Sequence, residues 1–135
     1  MKTIKYYHKN SDVVAFKKET YSDGYSYEST YDEKGNVLTY KDLFNYSEEH
    51  TYDENGNKLT FKDSNGCSYE RTYDENGNQL TYKDSEGFSC ERTYDENGKV
   101  LTYKNSNGSF MIKGKIVTKE EFESFIHNQK KTMCW

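Results

Sequence analysis

The stretch "TYDENGNKLTFKDSNGCSYER", Thr51 to Arg71, is followed without a break by "TYDENGNQLTYKDSEGFSCER", Thr72 to Arg92. The blocks are nearly identical, so the structural unit is a repeat of 21 residues. Tyr31, Tyr52, Tyr73 and Tyr94 keep this period, as do Leu38, Leu59, Leu80 and Leu101, and these eight are the expected core of the repeat. The whole chain, 1–135, reads as one domain: N-terminal cap strands and a partial copy over 1–30, four copies over 31–108, and a terminal hairpin and helix over 109–135. Diverged end units are what a repeat array needs as caps.

Each copy carries two turn signals, D-E-N-G (Asp53 to Gly56, Asp74 to Gly77, Asp95 to Gly98, with D-E-K-G at Asp32 to Gly35) and D-S-N-G or D-S-E-G (Asp63 to Gly66, Asp84 to Gly87). Between them lie short runs of Thr, Tyr, Phe and Leu, which reads as strands joined by hairpins. A three-residue loop at Ser64-Asn65-Gly66 places Phe61 opposite Tyr69 and Lys62 opposite Ser68. A two-residue loop would set Phe61 against Glu70 and is rejected. A four-residue loop at Asp74 to Gly77 would place Tyr82 opposite Tyr69 and Thr81 opposite Glu70. Leu59, Phe61, Tyr69, Tyr73, Leu80 and Tyr82 then share one side, and Lys58, Thr60, Lys62, Glu70, Thr72 and Thr81 the other. The expected fold is mainly β, an extended antiparallel meander of hairpin repeats. At its end, "TKEEFESFIHNQKK" starts with a capping box, Thr118 with Glu121, and brings Phe122, Phe125 and Ile126 onto one face. This short helix is expected to cap the aromatic face, with Met133 and Trp135 joining it.

Composition agrees with a thin core. There are five Leu, five Val, four Ile and one Ala against fourteen Tyr. The net charge of −4 gives no bulk attraction to nucleic acid or anionic membrane. No apolar run is long enough for a membrane span or a signal sequence, which points to the cytoplasm, here of a bacterial host cell. Cys67, Cys90 and Cys134 form no C-x-x-C pair, so neither a disulfide framework nor zinc is expected, and Cys67 and Cys90 read as small fillers.

The pattern Y-D-x-x-G-x-x-L-T-x-x-D-x-x-G, as in Tyr73-Asp74, Gly77, Leu80-Thr81, Asp84 and Gly87, resembles the YD or RHS (rearrangement-hotspot) repeat over about Ser22 to Gly108. The resemblance implies β-hairpin repeats and a bacterial or phage origin. In that family dozens of repeats spiral into a shell around a toxin domain. Four copies are too few to close such a shell, and Gly-Asn or Gly-Lys stands where the family often has Gly-Arg.

Chemistry is sparse. His8, His50 and His127 stand apart from any nucleophile motif, and His50 occupies the position of Arg71 and Arg92, so an exposed polar role is expected for it. The D-E-N-G turns fail as calcium loops because the positions that need carboxylates hold Thr51, Phe61, Lys62 or Thr72. No metal, cofactor or catalytic residue is assigned, and no enzyme is expected. Repetition does set Asp32-Glu33, Asp53-Glu54, Asp74-Glu75 and Asp95-Glu96 along one rim as an acidic ridge, with Lys41, Lys62, Lys83 and Lys104 near the opposite rim. The ridge suits a basic protein surface, such as the nucleic-acid groove of a CRISPR effector or other nuclease. The expected function is therefore a protein-binding inhibitor of phage or mobile-element origin, of the anti-CRISPR kind. A self-assembling structural module, as a homodimer, and an immunity protein against a toxin are the alternatives. Direct nucleic-acid binding is disfavoured because the tyrosines are needed as core.

Overall fold

The computed structural model describes residues 1–133, so Cys134 and Trp135 lie outside the described residues, as does the packing expected of the Met133 and Trp135 side chains. Twelve antiparallel strands run as an open meander in sequence order, followed by one short helix. The expected hairpin-repeat architecture is what the chain adopts. By compactness the chain divides into two units, Met1–Arg71 and Thr72–Trp135.

The first unit holds β1 (Lys2–Tyr7), β2 (Val14–Thr20), β3 (Ser26–Tyr31), β4 (Val37–Asp42), β5 (Ser47–Tyr52), β6 (Lys58–Asp63) and the start of β7 (Ser68–Tyr73). Across the Asp63 to Cys67 turn, Phe61 pairs with Tyr69 and Lys62 with Ser68, the expected register. The D-E-x-G turns depart from expectation. Asp53 N–H bonds the Asn57 carbonyl and Gly56 N–H bonds the Asp53 carbonyl, so this loop too has three residues, not four. One residue further along, Tyr52 pairs with Lys58 and Thr51 with Thr60, leaving Leu59 as a β-bulge. The shorter loop and the bulge each move the register by one residue. Their sum is two, so the alternation of Thr60 against Phe61 survives while the cross-strand partners change. Phe61 consequently faces His50, and Lys58 is turned from the threonine side to that of Tyr52.

The second unit holds β8 (Gln79–Asp84), β9 (Ser89–Tyr94), β10 (Val100–Asn105), β11 (Phe110–Ile112), β12 (Lys115–Val117) and α1 (Lys119–Met133). The Asp74 N–H again bonds the Asn78 carbonyl, and the Thr72 and Thr81 hydroxyls meet at 2.6 Å, so Thr81 faces Thr72 and not Glu70. Thr93 pairs with Thr102, and Leu101 is the bulge residue.

What holds so thin a sheet is visible in its cross-strand pairs. The hydroxyls of Thr30–Thr39, Thr51–Thr60, Thr72–Thr81 and Thr93–Thr102 lie 2.5 to 2.6 Å apart, one pair per repeat. On the other side, Tyr27–Tyr40 and Phe61–Tyr69 rings stack, and Arg71 lies 4.4 Å from the Tyr69 ring centroid. Conventional core is scarce: among the described residues only Cys90 and Phe122 are buried apolar side chains. Cys90 fills space as expected, whereas Cys67 is exposed.

The YD tyrosine has its own task. Tyr52 Oη donates to the Val37 carbonyl at 2.8 Å, and Tyr94 Oη to that of Gln79, each reaching fifteen residues back into the preceding copy. Burial pushes the pKa of both hydroxyls up. Tyr52→Phe keeps the ring but leaves the Val37 carbonyl without this donor, and is expected to cost about 1 kcal/mol in urea unfolding.

Thr118 caps α1: its Oγ1 accepts the Glu121 N–H, the first half of a capping box, and donates to Glu121 Oε1, both at 3.1 Å. The helix does not cap the aromatic face. Phe110 pairs with Lys104 and Ile112 with Thr102, so β11 puts apolar side chains on the threonine side, where earlier strands carry Thr and Glu. Phe122 follows them, its ring 5.2 Å from Phe110, and Thr102 becomes buried beneath. Tyr103 and Met111 face the other way, lining a shallow depression with Arg92 and Leu101.

Candidate functional site

The D-E-x-G turns form from the inside out. Asp53 Oδ1 accepts the Asn55 and Asn57 N–H groups, and Oδ2 accepts the Asn57 side-chain amide at 3.0 Å. Asp32 and Asp74 repeat all three bonds, and Asp95 repeats the two backbone ones. Each such loop needs one left-handed residue, supplied by glycine, with φ of 84° at Gly56. The carboxylates of the aspartates are thus consumed locally, while Glu33, Glu54, Glu75 and Glu96 are exposed.

Within the first unit the Glu33 and Glu54 turns are two strands apart, about 10 Å. Lys34 Nζ reaches across to the Glu54 carbonyl and tempers the charge there. In the second unit the Glu75 and Glu96 turns bear the same relation. Of the lysines near the other rim, Lys104 Nζ lies 3.3 Å from Glu91, while Lys41 and Lys62 stand opposite Glu28 and Glu49 in the strand register. Tyr31, Tyr52, Tyr73 and Tyr94, with Leu38, Leu59 and Leu80, are half-buried, as is Leu101.

The turn bonds set an acid limit. At Asp53 the Asn57 amide bond leads in holding the carboxyl below its usual range; at Asp74 it is the Asn78 N–H. At Asp32 burial acts first and upward, but the bonds from Asn36 and Lys34 together outweigh it. A carboxyl depressed in the folded state stabilises above its unfolded pKa, and that stability is lost as pH falls through the folded value. Urea stability is therefore expected to hold from neutral pH to about 4 and to fall below it. Asp53→Asn with Asp74→Asn should flatten that acid limb, as read by circular dichroism.

His50 corrects an expectation. It is not exposed but 8% accessible, its ring edge-on to Phe61 at 5.2 Å, with Nε2 3.0 Å from Glu48 Oε2. Glu48 also accepts the Tyr46 hydroxyl at 2.8 Å, a bond that pushes the Tyr46 pKa up to about 12. This Glu48–His50 pair stands where other copies carry Tyr69–Arg71 and Cys90–Arg92, a substitution visible in the aligned repeats.

Beneath α1 the second unit has an open groove of about 810 Å³, floored by Thr93, Thr102 and Lys104 and walled by Phe110, Phe122 and Ile126. Among the described residues no three His, Cys, Asp or Glu side chains converge to hold a metal ion, and no helix is long and apolar enough to cross a membrane.

The geometry defines an open antiparallel hairpin-repeat protein. No family model and no curated protein matches the sequence. Among solved structures the chain is similar to part of a TcdB2-TccC3-Cdc42 crystal structure, with a TM-score of 0.50 and 20% identity over 72% of this chain. The match spans only 5% of that much longer chain. A TcdB2-TccC3-TEV crystal structure also matches, with a TM-score of 0.39 and 21% identity over 64% of this chain and 6% of that one. The first likeness is one of fold alone, and supports the β-hairpin-repeat architecture.

Proposed function

We propose that this chain is a non-enzymatic protein-binding module: an inhibitor borne by a phage or mobile element that binds the basic surface of a bacterial defence nuclease in the host cytoplasm, as an anti-CRISPR protein would. The observation that carries the reading is the division of labour in the D-E-x-G turns. Aspartate is spent on holding the loop, and the neighbouring glutamate is left exposed on a rigid hairpin end. A groove that binds a phosphate backbone presents lysine and arginine in rows, and carboxylates on successive hairpin turns offer complementary charges.

The test is capture of a nuclease from bacterial lysate by the immobilised chain, followed by assay of that nuclease with and without it. Reversing the charges together (Glu33→Lys, Glu54→Lys, Glu75→Lys, Glu96→Lys) spares the turn bonds, which use aspartate. Capture and inhibition are expected to weaken at least about tenfold, with folding retained. Undiminished inhibition by the reversed variant would remove the ridge as the contact. A chain that neither captures nor inhibits a nuclease would remove the function.

A further inference from the structure

The turns at the other rim share one backbone form. In Tyr21–Tyr25, Asp42–Tyr46, Asp63–Cys67, Asp84–Phe88 and Asn105–Ser109, the first N–H bonds the fifth carbonyl. The three residues between are Ser22-Asp23-Gly24, Leu43-Phe44-Asn45, Ser64-Asn65-Gly66, Ser85-Glu86-Gly87 and Ser106-Asn107-Gly108. One turn breaks the rule at all three places. Folding does not require it, since Asp42 Oδ1 still accepts the Phe44 and Tyr46 N–H groups as its counterparts do. Asn45 takes the left-handed position at φ 64°, where glycine would be unstrained. Leu43 and Phe44 are 59% and 78% accessible where the other copies expose Ser with Asn, Asp or Glu.

The tip does not stand alone. The Phe44 ring stacks on Tyr25 at 5.8 Å, Tyr25 contacts Tyr21 at 5.9 Å, and the Tyr25 and Tyr40 hydroxyls meet at 2.9 Å. Carboxylates border this aromatic surface. Glu19 accepts the Tyr21 hydroxyl and Glu48 that of Tyr46; Asp23 holds the Tyr25 N–H and Asp42 holds the turn itself. Of the nearby lysines, Lys17 is bound to Glu19 at 3.0 Å, and Lys41, on the Thr39 face of β4, stands opposite Glu28. The Tyr40 pKa is raised first by its bond to Tyr25 and by burial, and the charges of Asp42 and Glu48 act in the same direction.

We propose that the Leu43–Phe44 turn, backed by Tyr25 and Tyr21, is a docking tip for a partner protein that offers an apolar socket bordered by lysine or arginine side chains. Two exposed apolar side chains on a rigid turn make a compact anchor, and aromatic anchors of this kind carry much of the affinity in protein interfaces. The acidic border selects a basic rim and repels an acidic one. The inference rests on reading the chain as a protein-binding module, but it assigns a contact on the rim opposite the Glu33 and Glu54 turns, so each surface can fail alone.

The test needs no partner in hand. Two short synthetic peptides, one alternating leucine with lysine and one leucine with glutamate, are titrated into the isotope-labelled chain and followed by NMR. The lysine peptide is expected to shift the signals of Leu43, Phe44, Tyr21 and Tyr25, and the glutamate peptide is not. The variant Leu43→Ser, Phe44→Asn, Asn45→Gly writes the sequence of the other turns into this one, so it should fold with an unchanged spectrum elsewhere. It should bind the lysine peptide at least about tenfold more weakly, while Glu33→Lys with Glu54→Lys leaves the shifts at the tip in place. Equal binding by the triple variant, equal binding of both peptides, or binding of neither would overturn the proposal. None of these outcomes bears on whether the glutamate turns capture a nuclease.

Discussion

Phe122→Ala is expected to release α1 from the sheet and to lower the stability of the second unit by about 3 kcal/mol, the low end for truncating a buried Phe. Phe122 is one of two buried apolar side chains among the described residues, and the helix meets β11 through its contact with Phe110. A helix of 15 residues is marginal in water by itself. Loss of the contact should therefore appear as lost helical ellipticity as well as a lower urea midpoint. Phe125→Ala, at a half-buried position on the same face, should cost about 1 kcal/mol and leave the helix in place. Retention of full helical signal in Phe122→Ala would show that other contacts hold α1.

The fate of α1 illustrates which features the sequence carries on its face. Helix position and cap were legible because Thr118, Glu121 and the Phe122, Phe125, Ile126 spacing act within a few residues of one another. The covered face was not, because it depends on which way β11 points Phe110 after the period breaks, and that is set by its pairing with Lys104. The same contrast separates the two turns. Ser64-Asn65-Gly66 gave its register directly. In the other turn Asp53 closes on Asn57, and the register then slips at Leu59, whose place in a bulge has no turn residue to announce it. The aspartate-glutamate pairs of the candidate ridge were readable as a row, but their unequal availability follows from bonds to Asn55 and Asn57 that only the folded loop displays. The Leu43-Phe44-Asn45 departure was open to inspection all along. It stands out once the structure shows that this turn shares the backbone form of its serine-asparagine-glycine counterparts.

Gly56→Val is expected to destabilise the first unit by about 2 kcal/mol or slightly more, and Gly56→Asn by about 1 kcal/mol or less, in urea unfolding. The difference isolates backbone strain. A Cβ built at Gly56 meets nothing within 4 Å, so neither substitution is opposed by a clash. What remains is φ at 84°, which the branched valine side chain tolerates poorly and asparagine tolerates better. The chain supplies its own control, because Asn45 already occupies the corresponding place in the Asp42 turn at φ 64°. Because the Tyr52–Lys58 pair and the Leu59 bulge are set by this loop, the valine variant should also loosen the register of β5 against β6. Faster amide exchange at the Thr51 and Thr60 backbone in Gly56→Val, with little change in Gly56→Asn, is the local signature expected. Equal losses in the two variants would mean that glycine is needed here for some reason other than its dihedral freedom.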